Sequence, residues 1–102
     1  MNKFPEEKYK GLQVYYSKNN EKSKEFALNV QKNTYTHIQN NNKRAPKAGD
    51  SSIYVLSSLH CPAILVECGF MSNKNELANL KSNEYRRDIA TVIFISALSV
   101  EP

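Results

Sequence analysis

The sequence predicts a layered α/β fold, a mostly parallel twisted sheet flanked by helices in three layers, and three observations carry that prediction. Pro62 opens the apolar run AILV at 63–66, which has no alternation and suits a strand covered on both faces. Phe26, Val30, Thr34 and Ile38 recur at four-residue spacing, so that segment has one face to bury and needs a sheet to lie on. Strand-like and helix-like stretches alternate along the chain. With 102 residues, 40% of them hydrophobic, a single core is the limit, and residues 1–102 are read as one domain.

In order along the chain, LQVYYS (12–17) is β-branched and aromatic after Gly11 and reads as a strand. Asn19 and Asn20 can cap a helix over 21–38, with Glu21 in its first turn where a negative charge suits the positive end of the dipole. The polar stretch QNNNKRAPKAGDSS (39–52), with Pro46 and Gly49, reads as a loop of the kind that often carries function. IYVLSS (53–58) is a second strand candidate and 63–66 a third. Asn73 can cap a short helix carrying Leu77 and Leu80, and Asn83 a longer one with Tyr85, Ile89, Val92, Ser96 and Val100 on one side. TVIFIS within it is β-branched enough to leave a strand open, but the 3.6-residue pattern spans the whole segment and favours helix.

Charge is uneven. The net charge is +4, yet the first fifty residues carry ten Lys and Arg against five Asp and Glu, and the remainder four against five. A basic patch of that kind suits an anionic partner or simply a solvated face. Nucleic acid is not expected, because the basic run lacks interleaved aromatic residues and any groove-entering motif. The longest apolar run, 89–100, is interrupted by Thr91, Ser96 and Ser99 and is too short to span a bilayer, so no membrane span is expected. The start NKFPEEKYKG is polar, without a basic and then apolar stretch, so no signal peptide is expected in it. Cys61 and Cys68 are too few for a disulfide framework, and with His60 they do not reproduce a zinc spacing.

Glu67 stands where the apolar strand ends, the place where open α/β sheets gather working groups, although strand ends also carry charges that do no chemistry. The surrounding residues, PAILVECGFMSN at 62–73, closely resemble the signature of zinc-dependent N-acetylmuramoyl-L-alanine amidases, in which a Pro-led apolar strand ends in Glu, followed by Gly-Phe, an apolar residue and Ser-Asn. LQVYYSKNNEKSKEFALNVQ is similar to that family's strand and following helix, NNKRAPK to its basic loop, and ELANLKSNEYRRDIATVI to its closing helices. The short form and the Tyr-Tyr strand are most similar to the members that act on spore cortex.

The resemblance implies a peptidoglycan substrate and cleavage of the amide between the lactyl group of muramic acid and L-alanine. It implies that Glu67 is the general base, taking a proton from the attacking water and returning it to the departing amine. Arg44 is a candidate for holding a substrate carboxylate. Gly69 would permit close approach, and Phe70 and Met71 are expected to pack. The chain departs from the family pattern it resembles at Ser57, where many relatives have arginine after the leucine of the second strand, so the resemblance does not carry over any substrate contact made by that arginine.

Zinc is the cofactor of the intact family domain. Its ligands there, a histidine in a Gly-His-Gly-Gly-like loop, a glutamate, and a histidine in a Ser-x-His-x-Asn stretch, have no counterpart in this sequence. His37 and His60 read as solvated or packed imidazoles. The expectation is therefore a C-terminal portion of the catalytic domain with the N-terminal part of its sheet missing, no metal ligands of its own, and no activity alone. A missing N-terminal segment of the same domain would be its partner. The alternative is a non-catalytic remnant or binding module that holds an anionic wall polymer through Lys43, Arg44 and Lys47. The family works outside the cytoplasm, in the cell wall or forespore envelope.

Overall fold

A computed structural model describes residues 11–70 and 73–101. Seven elements follow one another: β1 (Gln13–Tyr16), α1 (Glu21–His37), β2 (Lys47–Ala48), α2 (Tyr54–Ser58), β3 (Ile64–Glu67), α3 (Lys74–Lys81) and α4 (Asn83–Leu98). The strands form a sheet in the order β2-β1-β3. β1 pairs parallel with β2 and antiparallel with β3, so the described sheet is mixed where a mostly parallel one was expected.

Two elements differ from their sequence reading. Residues 53–58, expected as a strand, contain the one-and-a-half-turn helix α2. Its Leu56 is buried while Tyr54 and Val55 are exposed, and burying one residue in a short segment satisfies a helical turn better than a strand needing a covered face. The loop 39–52 holds the two residues of β2, placed there by pairing with Tyr15 and Tyr16. The segment 89–98, by contrast, is helical throughout its TVIFIS stretch.

The helix ends follow their caps. Asn20 accepts from the Lys22 amide at the start of α1. At α4 the capping side chain is Ser82, which accepts from the Tyr85 amide, and Asn83 is already helical. Asn73 caps α3 and accepts from the amides of Asn75 and Glu76 at 3.0 and 3.1 Å. Asn73→Ala is expected to lower stability by about 1 kcal/mol, read as an earlier urea midpoint at unchanged slope.

Alternation along the strands separates two faces. Val14 opposite Val66 and Tyr16 opposite Ile64 point to the core, which contains Leu12 just ahead of β1, Ala27 and Val30 of α1, and Ile89 and Val92 of α4. Gln13 opposite Glu67 and Tyr15 opposite Leu65 therefore lie on the other face. β3 is half-buried along its length rather than fully covered.

The edge of β1 ahead of β2 is closed by side chains. Gln31 accepts from the Val14 amide at 2.8 Å and donates to the Leu12 carbonyl at 3.3 Å. Asn42 donates to the same carbonyl at 3.0 Å, and Gln39 accepts from the Leu12 amide at 3.1 Å. Three amide side chains thus make the hydrogen bonds that a neighbouring strand would make.

Candidate active site

Glu67 is the last residue of β3, directly across from Gln13 on β1. Facing side chains in such a pair stand about 5 Å apart. Gln13 is fully held: its Nε2 donates to the Ala45 carbonyl at 3.0 Å, and its Oε1 accepts from Arg44 Nη1 at 3.1 Å. The residue facing Glu67 is thus the one that anchors Arg44. The Arg44 amide donates to Asn42 Oδ1 at 3.0 Å, and its guanidinium lies 5.5 Å from the centroid of the Phe70 ring. A strand end and a loop distant in sequence meet because β1 runs between them.

Tyr15 shares this face. Burial raises its phenol above the usual range, the Glu67 carboxylate raises it further, and Arg44 opposes both. The phenol thus senses Glu67 and Arg44 together, which places a carboxylate and a guanidinium on one surface.

Glu76 is a buried carboxylate next to the site that sequence reasoning did not single out. It is 6% exposed, and its Oε1 accepts from the amides of Gly11 and Phe70. It therefore ties the entrance of β1 to the segment that follows Glu67. A signal was present: Asn73 followed three residues later by Glu76 has the spacing of a capping box. Its carboxylate reaches across the fold instead of back to the cap. Gly11 can meet it because φ is +95°, and a Cβ there would stand 3.1 Å from Asn42 Nδ2. Gly69 is less demanding, since a Cβ would find Glu76 Oε1 at 3.4 Å, close to ordinary contact.

Behind the site, Tyr85 donates to the Cys68 carbonyl at 3.1 Å and accepts from Gln39 Nε2 at 2.7 Å. Burial, with Glu76 and Cys68 nearby, pushes its phenol far up, so it stays protonated and keeps donating. This bond joins α4 to the residue after Glu67, and Gln39 carries the connection to the loop that bears Arg44.

The other expected residues stand apart from this cluster. Phe70 is buried and packs as expected, while Met71 lies outside the described residues. Ser57 is exposed on α2, near the end of the sheet opposite Glu67. Lys43 and Lys47 are exposed. His37 ends α1, and His60 precedes β3 at the end away from Glu67; both are exposed. Among the described residues no three His, Cys, Asp or Glu side chains converge to hold a metal, so they do not fit a zinc site. Among them, too, no helix is long and apolar enough to cross a membrane.

A carboxylate at a strand end and a guanidinium held by the residue facing it stand on the sheet of a mixed α/β protein. The N-acetylmuramoyl-L-alanine amidase family profile matches residues 1–97, and the chain belongs to that family. It is 26% identical over 94 residues to the germination-specific N-acetylmuramoyl-L-alanine amidase of Bacillus subtilis, covering 92% of this chain and 39% of that protein. A putative N-acetylmuramoyl-L-alanine amidase of Buchnera aphidicola is 37% identical over 73 residues, which cover 72% of this chain and 28% of that relative. Among solved structures, the CwlD amidase of Clostridioides difficile, in complex with the GerS lipoprotein, superposes with a TM-score of 0.91 at 36% identity over 99% of this chain and 52% of its own. The AmiC2 amidase of Nostoc punctiforme superposes at 0.81 with 28% identity, covering 95% of this chain and 52% of that one. The chain thus spans about half the length of these solved relatives, and less of the curated ones.

Proposed function

We propose that this chain is the portion of an N-acetylmuramoyl-L-alanine amidase that carries the general base and a substrate-positioning arginine, acting on peptidoglycan of the cell wall or spore cortex outside the cytoplasm. The observation that supports it is the meeting of Glu67 and Arg44 across Gln13. Glu67 takes the proton of the water that attacks the lactyl amide and returns it to the amine of L-alanine as the bond breaks. Arg44, its guanidinium bonded to Gln13 Oε1 and held beside the Phe70 ring, binds a carboxylate of the stem peptide. Tyr15 beside them keeps its proton and can donate to the substrate. Zinc, implied by the family resemblance, would be held by groups outside the described residues, in a larger and mostly parallel three-layer sheet of which these three strands are part.

The test is a fusion of this chain to the N-terminal half of the Clostridioides difficile amidase. The expected result is release of peptides with a free L-alanine amino terminus from purified peptidoglycan. A folded, zinc-loaded fusion that releases none sinks the proposal and leaves the polymer-binding reading. In the same fusion, Arg44→Ala is expected to raise KM about tenfold while kcat changes less than about threefold, because it removes binding made equally in ground and transition states.

A further inference from the structure

Between the loop that carries Arg44 and the strand end that carries Glu67 runs an unbroken series of hydrogen bonds, each donated in the same direction. The Arg44 amide donates to Asn42 Oδ1 at 3.0 Å, and Asn42 Nδ2 donates to Gln39 Oε1 at 2.9 Å. Gln39 Nε2 then donates to the Tyr85 hydroxyl at 2.7 Å, and that hydroxyl donates to the Cys68 carbonyl at 3.1 Å. Neither side-chain amide can be turned round. The Leu12 amide donates to Gln39 Oε1 and the Leu12 carbonyl accepts from Asn42 Nδ2, so the backbone of a fully buried residue fixes which end of each is oxygen. Bonds that run head to tail polarise one another, so a break at one link weakens the others.

We infer that Tyr85 is a positioning residue for the amidase reaction, setting the place of Glu67 relative to Arg44 through this series without touching substrate. The inference rests on the amidase reading for the roles of those two side chains. The carbonyl that Tyr85 holds belongs to the residue directly after Glu67, where β3 ends and its pairing with β1 stops. Strand pairing therefore fixes Glu67 from one side and Tyr85 fixes it from the other. A general base must stand within hydrogen-bond reach of the water it deprotonates, and a displacement of about 1 Å costs up to about a hundredfold in rate. Burial keeps the Tyr85 phenol protonated, so its one proton stays on the bond to Cys68.

Tyr85→Phe removes one oxygen and keeps the ring. Tyr85 is half-buried, so water can pair with the Gln39 amide and the Cys68 carbonyl that it releases, but water does not hold them at a set distance. In the fused amidase the variant is expected to lower kcat about tenfold, through Glu67, and to raise KM about fivefold, through Arg44. Loss of folded protein alone would lower the apparent kcat and leave KM where it was. Gln39→Met breaks the neighbouring link, is expected to do the same, and serves where Tyr85→Phe does not fold. The double variant should lose little more than either single one, because the series is already cut.

A second measurement needs no hydrolysis. In the isotope-labelled chain, amide hydrogen exchange at Arg44 and Leu12 is expected to quicken about tenfold in Tyr85→Phe. The Gly49 amide, which donates to the Tyr16 carbonyl at 2.8 Å on the same edge of β1 but outside the series, should exchange as before. The inference is overturned if Arg44 exchange is unchanged or if Gly49 quickens with it. It is equally overturned if kcat or KM of the active fusion stays within about twofold of its native value, or if the two substitutions add. An inert fusion removes the amidase reading, and the exchange result then decides by itself whether Tyr85 couples the two segments.

Discussion

Glu67→Gln is expected to leave the fold intact and to lower turnover of the fused amidase by roughly a hundredfold or more, the usual loss on removing a general base. Glutamine has nearly the same shape, keeps its place at the end of β3, and leaves the backbone pairing of that strand with β1 undisturbed. What it lacks is an oxygen that can take a proton. A second readout needs no activity. The Glu67 carboxylate helps to raise the Tyr15 phenol, after burial, so removing the charge must lower that pKa while burial still holds it up. Absorbance titration of the isolated chain should therefore show one tyrosine ionising at lower pH in the variant. A loss of turnover below about threefold, with Tyr15 moved as expected, would show that Glu67 is in place but is not the base.

The largest stability effect is expected at Gln31. Gln31→Leu keeps the volume but removes the acceptor of the Val14 amide and one of the two donors to the Leu12 carbonyl. Val14 is completely buried, so its amide has no water to turn to. An orphaned buried amide costs about 1–3 kcal/mol, and the weaker bonds lost with it bring the expected loss to about 3 kcal/mol. Chemical denaturation measures it, with Lys32→Leu on the exposed side of the same helix as a control expected within about 0.5 kcal/mol. A Gln31→Leu loss below about 1 kcal/mol would mean that β1 finds other partners for this edge.

That edge shows why part of the architecture could not be read in advance. A tract written QNNNKR looks like any polar loop, and nothing in it says that Gln39 and Asn42 will complete the hydrogen bonding of a strand. Gln31 is harder still, since a polar residue between Val30 and Lys32 reads as the solvent side of α1, yet it is buried. Amide side chains are equally at home in water and in a satisfied interior. Their fate depends on which backbone groups happen to be left open nearby.

α2 and β3 illustrate the same limit for backbone structure. IYVLSS has strand-like composition, but its hydrogen bonds close locally into a helical turn, from Ser57 to Ile53, because β1 is already occupied by β2 and β3. The apolar run before Glu67 is a strand as its composition indicates. Its direction against β1 and its half-buried state come from the order of strands in space, to which composition is blind.

The local chemistry of the chain by itself determined the long helix after Asn20, the caps at Asn20 and Asn73, the strands around Val14 and Val66, and the family through the residues around Glu67. These depend on propensity, periodicity and motif, which act over a few neighbouring residues. Only the tertiary structure decided that Arg44 and Glu67 meet across Gln13, that Glu76 bridges Gly11 and Phe70, and that Tyr85 links Gln39 to the residue after Glu67. Each of those joins residues brought together by the antiparallel run of β1 against β3 and by the docking of α3 and α4 near that end of the sheet. Long-range contacts arise from the mutual satisfaction of buried groups, and no local stretch of sequence contains both partners.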